Sequence, residues 1–428
     1  MTRSSRSTPT RWSSGMSRDE FVFFARPDTD DDERRAIERV LASGWLTSGE
    51  ECRRFEAEFA EAVGGRFALA LNSCTAAMHL SLEAVGVRDG DLVITTPYTF
   101  AATAEVIRYL GATPVLVDVD PVTLNIDPGA LRRTVERLEH GDSVALPPAL
   151  RDGPVGAVRA LMPVHIAGHP CDQQAIAAVA DGRDLAIVED AAHAFPAAWH
   201  GGPIGTHPGG NFRHAVCFSF YATKTITTGE GGMLVTDDEA IVDRARVMSL
   251  HGISATARDR YTAGGSWEYE ILAPGFKYNL TDLAASLGRV QLSKAIAMRD
   301  RRASIARTYN EAFADLPGLE TPTVLSDCDT AWHLYQLRVD APAGADQRAV
   351  RAGFIALLHE AGIGTSVHFI PLHLHSYYRD LYGYAPEDFP VAHREFLREI
   401  SLPIYSSMTD SAVQRVVAAV RSAASELL

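Results

Sequence analysis

"FSFYATKTITTGEGGM", residues 218–233, carries an apolar run through one lysine into a glycine-rich turn. The chain has 428 residues and forty lysines and arginines together, but its only lysines are Lys224, Lys277 and Lys294. Arginine supplies charge elsewhere. It cannot shed a proton near neutral pH and act as an amine nucleophile. Lys224 is therefore read as a residue kept for its nitrogen chemistry.

Working outward, HAVCFSF (214–220) and GGMLVT (231–236) flank this lysine as strand-like runs. Five more precede them: FALALN (67–72), DLVITT (91–96), TPVLVDVD (113–120), RALMPVHI (159–166) and DLAIVED (184–190). Continuous apolar strands alternating with helical patterns predict an α/β fold, with a mostly parallel sheet covered on both faces. Ligands of such sheets gather at the carboxyl ends of the strands. Residues 138–156 read as a surface loop. From about residue 301 the pattern changes. A strand at 333–340, a helix over 345–361, the segment TSVHFI (365–370) and a final helix capped at Thr409 predict a smaller α+β domain. The division is a tail at 1–18, a large domain at 19–300 and a small domain at 301–428. The tail is rich in Ser, Thr and Arg, lacks an apolar segment and reads as disordered rather than secretory.

Composition narrows the function. A net charge of −14 and a pI of about 5.5 argue against general nucleic-acid binding. Five scattered cysteines without C-x-x-C spacing point to a reduced, cytoplasmic chain without a zinc site. No apolar run is long enough to predict a membrane span.

Chemistry is expected where the strands end. Asp190 follows an apolar strand, as a helix cap or as a carboxylate facing a cationic heterocycle. Pyridoxal phosphate (PLP) needs such a partner to act as an electron sink. His193, three residues on, is a packing residue or a hydrogen-bond donor to the same ring. NSCTAAMHL offers backbone N–H groups at a helix start, a seat for phosphate. Ser219 adds a hydroxyl. Phe100 packs in the core or stacks on a flat cofactor. Lys224 completes the set as an amine for an aldehyde. No phosphate-loop, serine-hydrolase or zinc-protease motif competes.

In this order, SCTAA, PYTFAAT, EDAAHAF, SFYATKTITTGEGG, GFKYNLTD and VHFIPLHLH resemble the DegT/DnrJ/StrS family from about Phe21 to the C-terminus. The resemblance implies a fold type I PLP enzyme, most often an aminotransferase acting on keto sugars attached to nucleotides. Lys224 would bond to the cofactor aldehyde, Asp190 would pair with the ring nitrogen and His193 would face the phenolic oxygen. Phe100 would stack on the ring, and Cys74, Thr75 and Ser219 would hold the phosphate. Lys277 stands where many members have an asparagine that reaches the phosphate of a neighbouring subunit, which implies a homodimer with a shared site. L-Glutamate is the implied amine donor. His333, His368 and His373 are candidates for contacting the sugar. Two alternatives stay open: amination of a cyclitol or other cyclic ketone, and a non-catalytic regulatory protein on the same fold.

Overall fold

The computed structural model describes residues 21–254 and 269–428. The tail expected at 1–18 lies outside the described residues. All seven apolar runs become strands of one sheet: β1 (Phe67–Leu71), β2 (Leu92–Thr95), β3 (Thr113–Leu116), β4 (Val158–Leu161), β5 (Ala186–Asp190), β6 (Arg213–Ser219) and β7 (Gly232–Thr236). Their spatial order is β1-β7-β6-β5-β4-β2-β3. From β6 across to β3 every pairing is parallel. β7 runs antiparallel to both β6 and β1. The chain between β6 and β7 carries no helix and turns straight back, whereas β2–β3 and β4–β5 are joined through helices, as parallel neighbours require.

Successive residues of a strand face opposite sides, so one run feeds two cores. In β6, Cys217 packs with Leu80 and Ile241 on one face, while Phe218 packs with Phe55 and Phe59 on the other. Helices Cys74–Ala84 and Glu239–Ser249 cover the first face; helices Glu50–Val63 and Asp282–Phe313 cover the second.

Helix Asp282–Phe313 is capped by the Thr281 hydroxyl, which accepts from the Ala284 N–H at 3.2 Å. Ala285 and Ala295 pack on the large sheet, whereas Ile305, Tyr309 and Phe313 belong to a separate core. That core lies on a second, antiparallel sheet of Leu319–Glu320, Tyr335–Val339 and Glu399–Leu402. This is the smaller α+β domain. Val22 joins the same core and pairs with Ile363.

TSVHFI makes only one bridge, Ser366 to Ser401; the third strand is Glu399–Leu402, whose short polar–apolar alternation is a weak signal. Residues 138–156 lie largely at the surface, with two 3₁₀ turns at Ser143–Ala145 and Pro148–Leu150 that set Leu146 into the core. All five cysteines are buried and unpaired with one another. No described helix is long and apolar enough to cross a membrane.

Candidate active site

Strand β5 ends in two adjacent carboxylates, and the two-residue period separates them. Glu189 is buried between His165 at 2.5 Å and His214 at 2.6 Å, with Gln173 at 3.1 Å. Against the cost of burial, these hydrogen bonds hold it ionised. Asp190 faces a cavity of about 500 Å³ at the carboxyl end of the sheet. No helix follows it. Its Oδ1 accepts from the Ala192 N–H at 3.1 Å, so it closes a turn, and its Oδ2 accepts from the Thr103 hydroxyl at 2.7 Å. Thr103 is aligned in turn by Thr99, one helical turn away at 2.8 Å. Burial raises the pKa of Asp190 above the usual carboxylate value. No cation lies within ion-pair distance of it among the described residues.

Lys224 sits on the loop between β6 and β7. The base of that loop is closed by Phe220 N–H to the Gly231 carbonyl at 2.9 Å, and by Thr228 N–H to the Phe220 carbonyl at 3.0 Å. The Lys224 N–H bonds back to Tyr221 at 2.9 Å, which aims the side chain into the cavity. Desolvation lowers its pKa to about 8; nearby Asp190 opposes the shift and the buried Arg302 adds to it. The amine is thus partly unprotonated near neutral pH.

Two uncharged imidazoles surround that amine. His193 Nδ1 accepts from the Ala167 N–H at 3.2 Å, so the ring proton is on Nε2 and free to donate. His333 Nε2 lies 3.4 Å from Lys224 Nζ, and the two rings are 4.4 Å apart. Burial first, and then the cationic Lys224, hold both rings well below the usual histidine pKa. Arg302 fixes the backbone of the His333 segment through the carbonyls of Trp332 and His333, and ties it to the Ile404 carbonyl at 2.7 Å.

At the other end of the cavity, Ser73 caps helix Cys74–Ala84 by accepting from the Ala76 N–H at 3.0 Å. The N–H groups of Cys74 and Thr75, in the first turn, have no acceptor within the helix. The Cys74 thiol points away, to the Cys217 carbonyl at 3.3 Å, so only its backbone serves the cavity. Gly232 makes room beside this seat. A Cβ there would stand 2.3 Å from the Ser73 carbonyl carbon and 2.4 Å from the Cys74 nitrogen. Ser219 ends β6 at the same edge. Phe100 is 62% exposed, with its ring on the cavity and 6.2 Å from Phe369. A core role for it is thereby ruled out.

Of the three histidines expected at the sugar, His333 and His368 line the cavity and His373 does not. His373 is fully buried against Phe389, with no hydrogen-bond partner for either ring nitrogen. It lies in the 3₁₀ turn Leu372–Leu374, which packs on the Pro97 segment and turns the ring into the core. Lys277 also lies outside this cavity. It is exposed, and its amine bonds Asn279. Thr103 and Arg302 were not anticipated. A buried Thr99–Thr103 pair on a helix start was the readable signal for the first; the second gives none in the sequence.

These residues fit PLP. A buried carboxylate without an ion-pair partner suits a ring nitrogen, the helix start at Cys74 and Thr75 beside Ser219 suits a phosphate, the exposed Phe100 suits a flat ring, and Lys224 suits an aldehyde.

The sheet, the second domain and this cavity together are those of the fold type I PLP enzymes. Within that class the chain belongs to the DegT/DnrJ/EryC1/StrS aminotransferase family, which it matches over residues 27–421. SpsC of Bacillus subtilis, a spore coat polysaccharide biosynthesis protein, is 45% identical over 404 residues, 94% of this chain and 97% of SpsC. Spr1654 of Streptococcus pneumoniae, solved in a PMP-form, superposes with a TM-score of 0.82 at 29% identity, covering 95% of this chain and 99% of its own. PseC of Helicobacter pylori, an aminotransferase involved in pseudoaminic acid biosynthesis, superposes with a TM-score of 0.82 at 26% identity, covering 95% and 100%.

Proposed function

We propose that this protein transfers the amino group of L-glutamate to a keto sugar carried on a nucleotide, giving an amino-deoxy sugar nucleotide and 2-oxoglutarate. The observation that carries the reading is Lys224, an amine of lowered basicity, in one cavity with the buried Asp190, which is oriented by Thr103 and has no ion-pair partner among the described residues. The sugar acceptor draws support from the roles given to SpsC and PseC.

Lys224, Asp190 and His193 are the catalytic residues of this proposal. Cys74, Thr75 and Ser219 hold the phosphate, Phe100 covers the ring, and Asp190 stays ionised beside the ring nitrogen. Bound PLP supplies a sink for the electrons left when a substrate carbon loses its proton. Lys224, near its own pKa, takes that proton from the α-carbon of the donor and later returns one to the carbon of the acceptor. His193 donates through Nε2–H and holds the ring in register. His333 keeps the amine oriented, and His368 faces the acceptor. Lys277 serves the phosphate of a partner subunit in a homodimer, which accounts for a scarce lysine on an exposed edge. The protein acts in the cytoplasm.

The test is direct. Purified protein is expected to be yellow, and borohydride reduction to fix the cofactor on the peptide containing Lys224. L-Glutamate should bleach the colour, and keto sugar nucleotides should restore it. Restoration by cyclitol ketones alone would move the acceptor to that class. Turnover surviving in Lys224→Ala would refute the assignment of the amine.

A further inference from the structure

Behind the wall that the small domain presents to Lys224 runs a short chain of polar groups. His368 lines the cavity, and its Nδ1 lies 2.8 Å from the Ser401 hydroxyl. That hydroxyl also bonds Oε1 of Glu399. Oε2 of Glu399 accepts the backbone N–H of His368 at 2.8 Å. Strand Glu399–Leu402 explains the placement: Ile400 and Leu402 enter the small-domain core, so Glu399 and Ser401 share the opposite face, and both are fully buried. Gln336 holds the His368 carbonyl at 2.8 Å, and Phe24 stacks on the ring at 5.4 Å.

The protons in this chain are tightly constrained. Oε2 accepts an N–H, whereas Oε1 faces the Ser401 hydroxyl, which can accept; a proton on Glu399 is therefore best satisfied on Oε1. Ser401 has one hydrogen to give. With Glu399 protonated, Oε1–H donates to Ser401, Ser401 donates to Nδ1, and the imidazole proton sits on Nε2. With Glu399 ionised, Ser401 turns to Oε1, Nδ1–H donates to Ser401, and Nε2 is bare. No described residue bonds Nε2, which is the ring nitrogen left for a ligand.

We propose that Glu399, acting through Ser401, is a positioning residue that sets the tautomer of His368 and so decides whether this wall donates or accepts a hydrogen bond. The ligand addressed is the amino-acceptor substrate, through a hydroxyl or its ketone oxygen; that identity alone rests on the proposed function. The charged and titratable groups acting on Glu399 are His368, Arg351 and Tyr98, with Glu395 and Arg338 beyond Tyr98, while Lys224, His193 and His333 act on the His368 ring from the cavity side. None forms an ion pair with Glu399. Burial outweighs them and pushes the carboxyl up to about 8, while His368 itself falls to about 4. At neutral pH the wall therefore donates, and above about pH 8 it accepts.

Two-bond ¹⁵N–¹H spectra of histidine-labelled protein report the tautomer directly, with His368→Gln assigning the signal. In the wild type, His368 should carry its proton on Nε2 at about pH 6.5 and on Nδ1 at about pH 9.5. In Glu399→Gln the amide donates to Ser401 at both pH values, so the ring should stay Nε2–H throughout. Ser401→Ala should uncouple the ring from pH. In parallel, KM for the acceptor should change severalfold more across the same interval in the wild type than in Glu399→Gln, while the glutamate half-reaction, which follows the titration of Lys224, keeps the same pH profile in both. One tautomer at both pH values in the wild type, or a wild-type response in Ser401→Ala, overturns the proposal. Should Glu399→Gln not fold, the wild type and Ser401→Ala decide it. Should no acceptor turn over, the functional reading fails and the spectra still judge the relay.

Discussion

Nζ of Lys224 lies 3.4 Å from Nε2 of His333, a residue 109 positions further along the chain on the segment leading into the second sheet. The large sheet brings the amine to its edge and the second domain brings an uncharged ring to meet it. The contact is possible because Arg302, a cation buried in the long helix, holds the His333 segment by the carbonyls of Trp332 and His333 and ties it to the carbonyl of Ile404. The reactive amine is thus defined by both domains.

Holding a lysine amine in this place costs stability. The folded pKa of Lys224 is about 8 against an ordinary 10.5, so the folded chain binds fewer protons than the unfolded one between those values. Stability therefore rises with pH across that window, and below about pH 8 the penalty is present in full. Lys224→Met, without cofactor, should be more stable than the wild type by roughly 1–3 kcal/mol at neutral pH. The gain should fade towards about pH 10. Urea unfolding at both ends of the window checks this; an equal gain at both ends would contradict it.

The phosphate seat depends on one missing side chain. A Cβ on residue 232 would meet the backbone of Ser73 and Cys74 at 2.3–2.5 Å, and backbone cannot swing aside. Gly232→Ala should cost about 1–3 kcal/mol as β7 moves off the helix start. Titration should show weakened affinity for PLP, and little change for pyridoxal, which lacks the phosphate.

The sheet was legible because each of its strands is a continuous apolar run, and burial on both faces leaves such a run little other choice. Asp190 and Lys224 were legible because they interrupt those runs at the ligand edge. What could not be read is whatever depends on partners distant in the chain. Thr103 and Asp190 are 87 residues apart. Glu399 and Ser401 alternate over too few residues to announce a strand. The histidines of HFIPLHLH look alike in sequence, yet one 3₁₀ turn sends His373 into the core while His368 keeps its ring on the cavity.

That difference is measurable. His373 is held neutral by burial, with its pKa pushed down to about 4, and Pro386 acts on it only from outside hydrogen-bond geometry. The unfolded chain takes up this proton near 6.5, so the wild type loses stability as the pH falls from 6.5 towards 4. His373→Leu removes two buried, unpaired nitrogens and this proton linkage together. It should match or exceed the wild type at neutral pH and gain further at about pH 5, by about 1–2 kcal/mol. Turnover should be unaffected; a large loss of kcat would return His373 to the site.

Phe100 separates packing from function most cleanly. A core phenylalanine cut to alanine costs about 3–5 kcal/mol, whereas a surface residue changes stability by about 0.5 kcal/mol or less. With 62% of its surface exposed, Phe100 belongs to the second group in the cofactor-free protein. Phe100→Ala should therefore leave the cofactor-free melting temperature nearly unchanged. The same substitution should weaken PLP binding by roughly tenfold, the loss expected from a ring-on-ring contact of about 1 kcal/mol together with the apolar area it covers. Melting curves with and without PLP read both quantities in one experiment. A large drop without cofactor would assign Phe100 to packing, and an unchanged PLP-dependent shift would remove it from the site.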